Sequence, residues 1–183
     1  MNPIQIYTVI HEQIESLFNL INDAYRSNDS NSWTNESKLV GGARISIEML
    51  DALIKQSQNH NSSNCLYSVT TIDSETQNEI LIGCIGTSKS ENDIEIGTFA
   101  VQPNYQNTGM GKKILAALEE MMINTQPDLK LFRIWVLDLR VELIQFYQRR
   151  GYSLTGQFEQ YPVLAGVGNP LKELKVLEMI KKI

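Results

Sequence analysis

Cysteine and histidine are scarce in this chain, with two of each among 183 residues. Two cysteines exclude a disulfide-stapled scaffold, and Cys65 and Cys84 sit in apolar, strand-like stretches, as reduced interior residues do. His11 falls at a helix start and His60 in a polar loop, with no metal-ligand spacing, so no metal is expected. Positive charge is also short: 16 Lys and Arg face 21 Asp and Glu, a net charge of −5. That balance, with no basic, aromatic-rich strip, argues against nucleic acid or an anionic membrane as partner. No apolar run approaches the roughly 20 residues that cross a bilayer. The opening MNPIQIYTVIHEQIESL has neither the basic leader nor the apolar core of a signal peptide. The expected home is therefore the cytosol, with the nucleus reached by diffusion. On that reading the Asn-X-Ser sequences at Asn28, Asn35 and Asn61 are plain polar loop residues.

What is present is the composition of one ordinary globular domain spanning 1–183, 42% hydrophobic and 20% charged. Ile4–Val9 reads as a first strand, and Ile14, Leu17, Phe18 and Ile21 recur at helical spacing up to about Tyr25. A second helix is capped by Ser46 and stripes Ile47, Leu50, Leu53 and Ile54 inward. Cys65–Ile72 and Ile80–Thr87 form a hairpin across DSETQNE, and a third strand runs from Ile94 to Val101. Ile114, Leu115, Leu118 and Met121 mark a helix, LFRIWVL a buried strand, and VELIQFYQRRG a helix stopped by Gly151. Tyr152–Thr155 and Leu174–Ile180 close the order β-α-α-β-β-β-α-β-α-β-β, a mixed α/β (α+β) domain.

Between the third strand and its helix lies QNTGMGKK, residues 106–113. Glycines at a helix mouth let backbone amides approach a phosphate, and the helix dipole favours its charge. A P-loop would need glycine at 106 and Ser or Thr at 113, where the chain has Gln106 and Lys113. A dinucleotide fingerprint would need glycine at Ile114, following a strand that opens a parallel unit.

The loop instead resembles the Gln/Arg-X-X-Gly-X-Gly/Ala signature of the GNAT N-acetyltransferase superfamily, matched at Gln106, Gly109 and Gly111. IEIGTFAVQPNYQNTGMGKKIL is similar to the whole core segment of that superfamily, and LIQFYQRRGYSLTG to its second signature. The resemblance covers nearly the entire chain and implies an acyltransferase (EC 2.3.1 class) fold with a splayed sheet. It also implies acetyl-CoA as co-substrate, held by Phe99 and Val101 main chain and by amides from Gln106, Asn107, Thr108, Gly109, Met110, Gly111 and Lys112. Arg140 stands where the family often has an asparagine that helps hold the cofactor, and an arginine there suits a phosphate. Tyr147 matches the tyrosine that serves as general acid, or else is a core aromatic beside Phe146. Alternation along the third strand puts Glu95 on one face with Gly97, Phe99 and Val101, as a base or as a solvated carboxylate.

Trp33, Glu36 and Arg44 resemble a WT-x-E…G-x-R arrangement of one branch of the superfamily, implying contact with the acceptor. Trp33 would wall the substrate and Glu36 hold its ammonium, or Trp33 would pack on a helix and Arg44 pair with Glu36. Tyr161 and Pro162 would form the opposite wall. The reading is acetyl transfer to a primary amine of a small molecule or protein, with a homodimer an expectation of the fold. Its alternatives are a silent acetyl-CoA-binding module and an enzyme using a larger acyl group.

Overall fold

The computed structural model describes residues 3–27 and 32–183, so Asn28 lies outside the described residues. Strand β1 (Ile4–Thr8) is followed by α1 (Ile14–Arg26), a two-residue β2 (Val40–Gly41) and α2 (Ile47–Ser57). The Ser46 hydroxyl caps α2 by accepting from the Met49 N–H at 3.2 Å. Next come β3 (Asn64–Ile72), β4 (Glu79–Ser90), β5 (Asp93–Val101) and α3 (Met110–Thr125). The chain ends in β6 (Leu131–Leu137), α4 (Val141–Gln148), β7 (Ser153–Gln160), β8 (Asn169–Pro170) and β9 (Lys175–Lys182).

Seven strands build one sheet in the order β1-β3-β4-β5-β6-β9-β7, and β2 pairs with β8 apart from it. Helices cover both faces of the large sheet. Ile114 and Leu118 of α3 and Ile144 of α4 pack on Ile82, Phe132, Ile134 and Met179. Leu17 and Ile21 of α1, with Leu50 and Ile54 of α2, pack on Leu66, Cys84 and Ala100. Each fully buried Leu or Ile contributes about 2 kcal/mol, which sets the sandwich.

Two irregularities shape the middle of the sheet. The parallel pair β5–β6 is laddered at only three positions, Asp93–Leu131, Ile94–Phe132 and Glu95–Arg133. Beyond them β5 continues to Val101 and β6 to Leu137 without pairing to each other, which opens a fork. In β5, Gly97 faces Gly86 while Ala100 faces Cys84, so Thr98 and Phe99 together oppose Ile85. This bulge, with Thr98 at φ 44°, inverts the alternation. Ile94, Ile96 and Val101 therefore belong to the α3/α4 side, with Phe99 against them, and Ala100 to the α1/α2 side. The expected common face is corrected accordingly: Glu95 and Gly97 lie opposite to Phe99 and Val101.

Three further differences from the sequence reading have local causes. The strand expected to end at Thr155 runs to Gln160, because Gly156 at φ 86° absorbs a second bulge between Leu154 and Phe158. The pair β2–β8 has only two positions and shows no periodicity to read. Ile47, in the first turn of α2, is 39% exposed and lies outside the buried cluster.

Candidate active site

The helix mouth is built by backbone angle. Asn107 and Gly109 both adopt positive φ, 60° and 84°, turning the chain from the Pro103–Tyr105 turn into α3. A Cβ on Gly109 would meet nothing within 4 Å, so conformation rather than space demands glycine. The first helical bond runs from the Lys113 N–H to the Gly109 carbonyl at 3.2 Å, and the amides before it are those a helix leaves to other partners. Gln106, Asn107, Gly109, Gly111 and Lys112 line a cavity of about 310 Å³ there. Thr108 and Met110 turn away from it: the Thr108 hydroxyl donates to the Tyr105 carbonyl, and Met110 is buried in the core.

Gln106 does more than enter a turn. Its side-chain carbonyl accepts from the N–H groups of Trp33 and Thr34, and its amide donates to the Val101 carbonyl at 2.8 Å. From the other side Arg140 grips the same segment. Its guanidinium donates to the carbonyls of Trp33 (2.9 Å), Thr34 (3.1 Å) and Asn35 (3.3 Å). Arg140 is 4% exposed and also pairs with Glu142 and, at 3.7 Å, with Glu36. The expectation that Arg140 meets a phosphate is thus corrected, since its donors are spent on loop carbonyls. The cations that do line the cavity are Lys112, Arg149 and Arg150, the last lying 3.3 Å from the Phe146 ring centroid.

Held this way, Trp33 forms a wall of that same cavity beside Phe146, with ring centroids 5.7 Å apart. It therefore packs on a helix, as one of its two expected readings had it, and does not line the cavity that holds Glu36, Arg44 and Tyr161. The expected Arg44–Glu36 pair is likewise absent among the described residues. Arg26 takes Glu36 at 2.9 Å, with Arg140 beyond, and Arg44 lies over the Tyr25 ring at 5.3 Å. With both of its cations buried, Glu36 is engaged structurally.

A second cavity, about 600 Å³, lies across the fork and is lined by Glu36, Arg44, Glu95, Trp135, Glu159, Tyr161 and Pro162, among others. The Glu95 carboxylate accepts from the Trp135 indole N–H at 3.2 Å. Tyr25, Phe99, Leu143 and Tyr147 line both cavities and so mark their junction. The Tyr25 hydroxyl donates to the Phe99 carbonyl at 2.7 Å, so of the main-chain groups expected to contact a ligand, the carbonyls of Phe99 and Val101 are already held by side chains. Gln102 N–H pairs with the Ile82 carbonyl, so by alternation the Val101 N–H points away from β4 into the fork. The Tyr147 hydroxyl has no hydrogen-bond partner among the described residues, and burial, reinforced by Tyr25, pushes its pKa up. Sequence reasoning missed Tyr25, Trp135 and Arg150. Of these, only Trp135 left a signal, as the polar-side partner of Arg133 two positions earlier in LFRIWVL.

A sandwich with a forked parallel pair and a glycine-edged helix mouth defines a class, and the family comparison names it. Residues 14–152 match the model of the acetyltransferase (GNAT) family, and the chain belongs to that family. Among solved structures the chain is similar to the PaiA N-acetyltransferase of Thermoplasma acidophilum in complex with coenzyme A, at 21% identity and TM-score 0.65, covering 99% of each chain. It is similar to the spermidine N-acetyltransferase of Vibrio cholerae in complex with CoA and spermine, at 15% identity and TM-score 0.66, covering 98% of this chain and 95% of that one. It also resembles the ribosomal-protein-S18-alanine N-acetyltransferase of Escherichia coli, at 12% and 0.64, covering 99% and 94%. At these identities the likeness establishes the fold. No curated protein matches the chain in sequence. Among the described residues no helix is long and apolar enough to cross a membrane, and no His/Cys/Asp/Glu group is placed to hold a metal.

Proposed function

We propose that the protein transfers an acetyl group from acetyl-CoA to a primary amine, and that Tyr147 is the general acid. One observation carries this reading: Tyr147, a buried residue, stands where the two cavities meet, and its hydroxyl has no hydrogen-bond partner among the described residues. The smaller cavity suits the donor. Amides of the α3 mouth with Lys112, Arg149 and Arg150 match a pyrophosphate, and the Val101 N–H with Phe99, Leu143 and Phe146 match an amide-containing, largely apolar arm. The larger cavity receives the amine.

The donor supplies an acyl group activated as a thioester. Backbone amides and cations fix its position, while Trp33 and Phe146 wall the smaller cavity against water. As the C–N bond forms and the C–S bond breaks, Tyr147 gives its proton to the departing sulfur. Glu95, on the acceptor side, takes the proton that the amine loses, directly or through water. The raised Tyr147 pKa keeps that proton in place across the neutral range.

The Tyr147→Phe protein is expected to keep coenzyme A affinity within about twofold and to lose about 100-fold in kcat. Thiol release and calorimetric titration measure the two. Unaltered kcat on an accepted amine returns Tyr147 to a packing role.

A further inference from the structure

The charges around the larger cavity divide into those already matched and those left over. Glu36 is matched by Arg26 and Arg140, at 2.9 and 3.7 Å. Glu178 is matched by Arg133 at 2.7 Å, and Arg133 also holds Asp93 at 3.0 Å. Three charges remain without an opposite partner among the described residues. Glu95 has only the Trp135 indole N–H, and Glu159 has no side-chain partner. Arg44 has only the face of Tyr25, 5.3 Å from its ring centroid.

A ring whose centroid is 5.3 Å from the guanidinium carbon takes up none of the Arg44 N–H donors as conventional hydrogen bonds, so they remain available. Those donors form a rigid fork that matches a planar anionic oxygen pair, and the charge cannot be shed by deprotonation. Arg44 comes from the α1–α2 connection, whereas Glu95 and Glu159 come from β5 and β7. The unmatched charges sum to two negative and one positive. A ligand that complements them carries one anionic group of single charge and up to two amino groups. A dianionic phosphate would leave the pair of carboxylates opposed.

Resting on the reading of this cavity as the acceptor site, we propose that the acceptor is an amino acid with a second amino group. Its carboxylate is held by Arg44 and its amines face Glu95 and Glu159. One amine is the nucleophile over Glu95, and the other stays protonated against Glu159. A polyamine supplies the amines but leaves Arg44 facing a cation, so the carboxylate is the discriminating group.

The test compares compounds that differ only in that group: L-lysine with cadaverine, and L-ornithine with putrescine, by thiol release from acetyl-CoA. We expect kcat/KM to favour at least one acid over its decarboxylated partner by about 10-fold or more, as charge-assisted paired hydrogen bonds provide. Arg44→Met brings that ratio down to about 1, and Arg44→Lys, which keeps charge without the fork, gives an intermediate ratio. Circular dichroism confirms that both variants fold. Equal or better use of the diamines, or a ratio untouched by Arg44→Met, overturns this proposal and leaves acetyl transfer standing. No thiol release with either series overturns it as well, and coenzyme A binding by calorimetry then shows whether the donor reading falls with it.

Discussion

Tyr25 and Tyr147 sit at the junction of the two cavities and do different work. Tyr25 spends its hydroxyl on the Phe99 carbonyl, which holds the bulge against α1, while the Tyr147 hydroxyl has no partner among the described residues. Behind them Cys84 is fully buried, and that burial pushes its thiol from 9.0 up to about 12. A thiol whose folded pKa is raised holds its proton more tightly when folded. Its contribution to stability is present in full below pH 9 and is lost as pH rises toward 12. Urea midpoints measured across that window should therefore begin to fall near pH 9, ahead of the buried tyrosines. Cys84→Ala lowers overall stability but flattens this first part of the decline. A slope unaltered by Cys84→Ala would assign the alkaline loss elsewhere.

Among the elements, the 32–36 segment owes its shape to contacts far away in sequence. Gln106 binds its N–H groups and Arg140 its carbonyls, so each half of the peptide unit has a dedicated partner. Arg26 extends the tie to the opposite cavity by donating to Glu36 and, at 3.0 Å, to the Val167 carbonyl. Arg140→Ala strands these carbonyls and removes one of the cations beside Glu36. It is expected to cost about 3 kcal/mol, the lower end for a broken buried pair, since Arg26 remains. Release of Trp33 from the donor wall should raise the Kd for coenzyme A about 10-fold. Chemical denaturation and calorimetry read the two effects. Unchanged coenzyme A affinity in folded Arg140→Ala protein would take the 32–36 segment out of donor binding.

For the molecule as a whole, the central fork is a place where the sheet forgoes its own pairing. β5 and β6 give up their ladder beyond Glu95 and Arg133, and backbone groups turned into that gap need partners. A ligand that supplies them binds the folded state alone and stabilises it. Coenzyme A at about 100 times its Kd should add about 2.7 kcal/mol. For a chain of 183 residues that is a rise of about 5–10 °C in Tm. Differential scanning fluorimetry measures it, and no rise at saturating coenzyme A would separate the fork from donor binding.

The helices and most strands were legible in the chain because apolar period and capping residues are local, as Ser46 and the Ile114–Leu118 stripe show. So was the helix mouth, because its N-cap takes a left-handed angle that favours glycine, and Gly109 stands there. The roles of Glu95, Arg140 and Trp33 were not. A single inserted residue at Thr98 reverses which face Glu95 shares, and alternation counted along the strand cannot detect it. Arg140 and Trp33 meet across more than 100 residues, and whether an arginine faces phosphate or carbonyl depends on which oxygens arrive there. Local chemistry thus determined the elements and the glycine-edged turn. Only packing, by fixing the bulge and the loop contacts, decided which side chains line the smaller cavity and which the larger.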